Sequence, residues 1–198
     1  MKPLHRIFLL LTALLASYQV VQGIDGLERM AIACYTIAFG MLIVASLLMM
    51  ILGFEVLDSP LVVISSTLIP ASLALGLVSE YLDVILIPYG IFIVAGMLVI
   101  LITRLAGPQK LAVIVLAVVH GVAGLAIFAL PIILALRGDT KGGFAWVGIG
   151  GGLIGIGGLL LSFLKGGRPI LPRETILTVL PSLLLLSTAA FVAGFAYL

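Results

Sequence analysis

The chain has 198 residues, of which 63% are hydrophobic and 9% charged, with a mean hydropathy of +1.41. A soluble domain carries about 25% charged residues, so no water-soluble fold hides this much apolar surface, and the class is a polytopic membrane protein. Ten Lys and Arg against eight Asp and Glu leave a net charge of +2; the bases are scattered singly, which excludes a nucleic-acid-binding stripe, and the lone Cys34 excludes an intrachain disulfide and a cysteine-built metal site.

Every charged residue lies in the N-terminal tail or in one of six short polar clusters. The apolar intervals between them run about 17 to 26 residues, which are bilayer-spanning lengths at about 1.5 Å per residue. In chain order they cover residues 7–23, 30–53, 61–79, 84–103, 111–136, 144–164 and 175–198. Unbroken apolar runs of this length predict helices rather than barrel strands, which alternate over about ten residues. The expectation is an all-α transmembrane helical bundle of seven spans, a single integral membrane domain over residues 1–198.

The first span, residues 1–23, has two readings. Lys2 and Arg6 followed by an apolar run resemble the n- and h-regions of a signal peptide, with Val21-Gln22-Gly23 as a cleavage position. Retention as an uncleaved signal-anchor is the favoured reading, and cleavage leaves six helices. The other six spans pair as helical hairpins over 30–79, 84–136 and 144–198. Within them Gly40-Met41-Leu42, Gly96-Met97-Leu98 and Gly152-Leu153-Ile154 recur 56 residues apart, so one helix plus three repeated hairpins is the plan to test. Turn residues separate the spans: Asp25-Gly26, Asp58-Ser59-Pro60, Gly107-Pro108, Gly138-Asp139 and Gly166-Gly167-Arg168-Pro169.

Lys and Arg in short loops prefer the cytoplasmic side. With the N-terminus inside, that side holds Lys2, Arg6, Arg104, Lys110, Lys165, Arg168 and Arg173, and the far side holds Arg29, Arg137 and Lys141. Seven against three predicts N-in and C-out, in the cytoplasmic (inner) membrane of a prokaryote.

Intramembrane chemistry is sparse. His120 is the ionisable side chain nearest the middle of a span, and such groups default to a functional hypothesis. Ala117, Gly121, Ala123 and Gly124 around it leave a small-residue face that admits either another helix or a flat macrocycle. A chlorophyll or a haem ligated by His120 is therefore one candidate. A bis-His haem within the chain is disfavoured because the second histidine, His5, sits at the membrane edge. The plainer expectation is no cofactor, with His120 hydrogen-bonded to a neighbouring helix.

The sixth span carries Gly148, Gly151, Gly152 and Gly155 as overlapping small-xxx-small pairs, which let two backbones approach closely. A glycine-rich helix, a basic loop and a second helix are similar in outline to a rotor-ring subunit of rotary ATPases. That family needs an ion-carrying carboxylate in the second helix, and residues 175–198 contain none. In the third span Ser65, Ser72, Gly76 and Ser79 form a stripe, and Pro70 frees the carbonyl of Ser66 from its helical donor. Ser65, Pro70 and Ser72 are thus a candidate transport stripe, with a site between the third and fifth spans. Pro131 and Pro181 interrupt the fifth and seventh spans in the same way. Tyr18, Tyr81, Tyr89, Trp146 and Tyr197 lie toward span ends, where amphipathic rings anchor at the interface. Asp25 with Glu28, and Glu80 with Asp83, read as solvated caps rather than cation sites.

No HExxH, GxSxG, CxxC or Walker A pattern occurs, nor a pair of intramembrane aspartates, and nothing assembles a nucleophile with a base. The sequence reading is a protein that is not an enzyme: a non-catalytic integral subunit, or an assembly or stability factor, of a larger membrane complex, with the lipid bilayer and other membrane subunits as partners. An energy-converting complex is one setting for it. A small transporter and a single-His pigment- or haem-binding subunit are the alternatives.

Overall fold

The computed structural model describes residues 1–106, 109–165, 167 and 169–198, without the side chains of residues 60, 61, 63–65, 104, 109 and 110. The turn expected at Gly107-Pro108 lies outside the described residues, as do Gly166 and Arg168. The described residues form seven long helices: α1 (Pro3–Gln22), α2 (Arg29–Leu52), α3 (Pro60–Tyr81), α4 (Asp83–Ala106), α5 (Gln109–Arg137), α6 (Ala145–Lys165) and α7 (Arg173–Phe195). Short 3-10 turns at Phe54–Asp58 and Gly142–Phe144 precede α3 and α6. No strand occurs among the described residues. Six of the helices, all but α3, are long and apolar enough to cross a membrane when the described residues are searched, and the chain reads as an integral membrane protein.

Helix ends follow the local chemistry. Pro3 and Pro60 sit in the first turns of α1 and α3, where a missing N–H costs nothing and φ is already helical. Gly23 and Gly53 close α1 and α2 with φ of 67° and 79°, a backbone region that disfavours any side chain bearing a Cβ.

Consecutive helices pack in pairs, α2 on α3, α4 on α5 and α6 on α7. Their arrangement goes beyond the sequence reading. Helices α1, α2, α3, α5, α6 and α7 each pack on the next and α7 returns to α1, so six helices close a ring. α4 stands outside it, in the groove between α3 and α5.

Apolar side chains fill the ring. Tyr35, Phe39, Leu73, Leu77, Ile127, Phe144, Phe191 and Phe195 belong to its main core. Ring contacts link Tyr81 to Phe144, Phe144 to Phe195, and Phe195 to both Tyr35 and Phe39. At the opposite end Leu9, Met49 and Leu180 form a second plug. Lipid is as apolar as these side chains, so the stabilisation comes from close packing and interhelical polar contacts rather than from removal of water. Interior hydroxyls satisfy themselves locally: Thr12, Ser46 and Thr188 donate to the carbonyls of Phe8, Leu42 and Leu184, four residues back on their own helices.

Outward faces are aliphatic. Val84, Ile87, Ile91, Val94, Leu98 and Leu105 of α4 are all exposed and recur at helical spacing along one side, as a lipid-facing helix requires. Tyr81 and Tyr89 lie near the junction of α3 and α4. Both are only partly exposed and pack against the main core: Tyr81 meets Phe144 across the bundle, and Tyr89 meets Phe92 of its own helix.

Polar contacts mark the two ends of the bundle. At one, the His5 ring lies 5.8 Å from that of Phe54, and Lys165 donates to Asp58 Oδ1 and to the Leu57 carbonyl, each at 2.5 Å. At the other, the Glu28 backbone N–H donates to Glu80 Oε2 at 3.2 Å, so one of the expected cap carboxylates ties the start of α2 to the end of α3.

Candidate functional site

The residues singled out in sequence converge unequally. Glycines of α6 are distributed over two neighbours. Methyl groups built at Gly148 and Gly151 lie 2.6 Å from Ile132 and from Ile127 of α5, and one at Gly150 lies 2.7 Å from Phe191 of α7. Gly152 is less crowded, 3.1 Å from the Phe128 ring. On the facing helix, Pro131 lacks the N–H that the Ile127 carbonyl would accept, and that carbonyl is 3.0 Å from the methyl position of Gly151. The glycine thus brings the α6 backbone against the break in α5.

One turn further along, the seam opens. Gly155 has no atom of another residue within 4 Å of a built methyl group, and neither do Gly121 and Gly124 on α5. Helical register puts Gly155 on the same side of α6 as Gly148, Gly151 and Gly152, and puts Gly121 and Gly124 between His120 and Phe128 on α5. Three glycines therefore leave a notch in the α5–α6 seam, closed toward one end by Phe128 against Gly152. At its other end the His120 Cδ2 lies 3.9 Å from the methyl position of Gly158. His120 is half-buried and Gly121 is exposed, so the notch opens on the outside of the bundle.

The candidate transport stripe has a different setting. Pro70 and Ser72 are buried, and the side chain of Ser65 lies outside the described residues. Gly76, on the same face as Ser72 and Ser79, takes the Tyr35 ring of α2, with 2.6 Å from its methyl position to Tyr35 Cε1. That contact turns the stripe toward α2. α3 also packs on α5, where Ile69, Leu73, Ala123 and Ile127 join the apolar core.

The three glycines spaced 56 residues apart are not equivalent. Gly40 faces open space, Gly96 meets Val119 of α5 and Gly152 meets Phe128 of α5. Among the described residues no three His, Cys, Asp or Glu side chains gather as a metal site. Sequence reasoning found the glycines and His120 separately; pairing Gly155 with Gly121 and Gly124 needed the order of the helices around the ring. Comparison with protein families, with curated proteins and with solved structures finds no match to the chain.

Proposed function

We propose that the chain is a non-catalytic integral subunit or assembly factor of a larger membrane complex, with seven spans, N-in and C-out, in a prokaryotic cytoplasmic membrane, and that a helix of a partner subunit seats in the α5–α6 notch. The observation that carries this reading is the unequal use of glycine. A glycine inside a helix costs about 1 kcal/mol relative to alanine. At Gly148, Gly150 and Gly151 close packing within the fold offsets that cost, whereas at Gly121, Gly124 and Gly155, as at the isolated Gly40 and Gly90, nothing among the described residues does. A partner helix laid over these three positions restores the contact, since small residues are what let helices approach in lipid.

Native electrophoresis of gently solubilised membranes tests it, with wild type beside Gly121→Leu, whose side chain points into open space. Wild type is expected in a larger assembly and Gly121→Leu as the free chain. Migration of wild type as a small free species only, or an assembly indifferent to the substitution, would sink the reading. His120 beside the same notch supports a rival, a ligated pigment. A visible band of the isolated chain that disappears in His120→Ala would favour it; a colourless chain is expected.

A further inference from the structure

A second concavity lies at the end of the bundle where Asp58 meets Lys165. It is a cleft of about 190 Å³ between the 3-10 turn at Phe54–Asp58, the end of α6 and the start of α7. Its walls include Phe54, Leu161, Leu164 and Leu177, and Lys165 and Arg173 are its basic members. Against them stands one acid, Asp58, which occupies Lys165 through a direct ion pair. Arg173 is exposed and acts on Asp58 only through space. Among its described lining residues the cleft therefore keeps one positive charge beyond its internal pairing, set over an apolar wall.

We propose that this cleft binds an anionic phospholipid of the surrounding leaflet, its phosphate held by Arg173 and shared with Lys165, and the start of its acyl chains lying on Leu161, Leu164 and Leu177. Position and charge argue together. The cleft sits where membrane-spanning helices end, which is headgroup depth. It also sits at the basic end of the molecule: among the described residues Lys2, Arg6, Arg104, Lys110, Lys165 and Arg173 against Glu55, Asp58 and Glu174 give six minus three, or +3, whereas the other end has three bases and five acids, or −2. Basic residues near a membrane surface attract anionic headgroups. A free phosphate has no use for four apolar walls, and a zwitterionic lipid gains little from the surplus cation.

Native mass spectrometry of the purified full chain in mild detergent tests the assignment, with phosphatidylglycerol, phosphatidylcholine and inorganic phosphate as separate additives. Phosphatidylglycerol is expected to be retained about fivefold more than phosphatidylcholine, the scale of one basic residue near a membrane surface. Arg173→Gln, at an exposed position, should abolish that preference with the melting transition unchanged. Asp58→Asn should strengthen retention, because it frees Lys165 for the phosphate. Equal retention of the two lipids, or a preference that survives Arg173→Gln, would overturn the proposal. Displacement of phosphatidylglycerol by millimolar inorganic phosphate would do so as well, by identifying a free anion as the ligand.

Discussion

One methyl group distinguishes the glycines that hold this bundle together from those that leave it open. A methyl built at Gly194 of α7 lies 2.5 Å from the Val147 backbone nitrogen of α6. Backbone cannot rotate away as a side chain can, so Gly194→Ala must separate two helices. Overpacking of this kind costs about 1 to 3 kcal/mol, and Gly194→Ala is expected toward the upper end. Gly155→Ala meets nothing and gains up to about 1 kcal/mol of helix propensity. Unfolding of the two variants in mixed micelles, scored by helical circular dichroism, checks the contrast. Equal destabilisation of both would mean that α6 and α7 are not seated on each other as described.

At the scale of elements, the helices were legible in the sequence and their neighbours were not. Each expected span falls within a few residues of an observed helix, since charge clusters, Pro and Gly mark ends by local rules. Pro88, the sixth residue of α4, frees the carbonyl of Val84 in the first turn, where the chain is exposed and the helix starts undisturbed. The closed ring, the external α4 and the α5–α6 notch depend on which apolar face meets which. Sequence does not encode that choice visibly when the faces on every side are Leu, Ile, Val and Gly.

The 3-10 turn at Phe54–Asp58 shows what one polar clip adds to such packing. Its Asp58 carboxyl is held below the ordinary value of 3.8, first by the Lys165 hydrogen bond, then by the Lys165 and Arg173 charges, with burial opposing. A carboxyl depressed in the folded state contributes stability that is present above the unfolded pKa and lost as pH falls through the folded one. Asp58 is 66% exposed, so solvent screens the pair and the contribution stays within about 1 kcal/mol. Thermal melts of wild type and Asp58→Asn should therefore differ slightly at neutral pH and converge below the Asp58 titration. A gap that persists in acid, or that ignores added salt, would show that the clip acts through something other than the carboxylate charge.

For the whole molecule, the two ends are set apart by charge more than by shape. Polar contacts place Asp58 and Lys165 at one end and Glu28 and Glu80 at the other, and the basic surplus gathers at the first. Positive residues flanking short loops stay on the cytoplasmic side during insertion, while acids contribute little. The Asp58 end is accordingly expected in the cytoplasm, with the turn after α5 outside. The chain's single cysteine allows a direct test, because Cys34 is buried and its replacement by alanine leaves a cysteine-free background. New single cysteines at Glu55 and Asp139, both exposed and at opposite ends, can then be challenged with a membrane-impermeant maleimide on intact cells. Asp139→Cys should label and Glu55→Cys should label only after the membrane is opened. The reverse pattern would invert the bundle, and it would also move the proposed lipid cleft to the leaflet poorer in anionic headgroups, where the Arg173 site has least to bind.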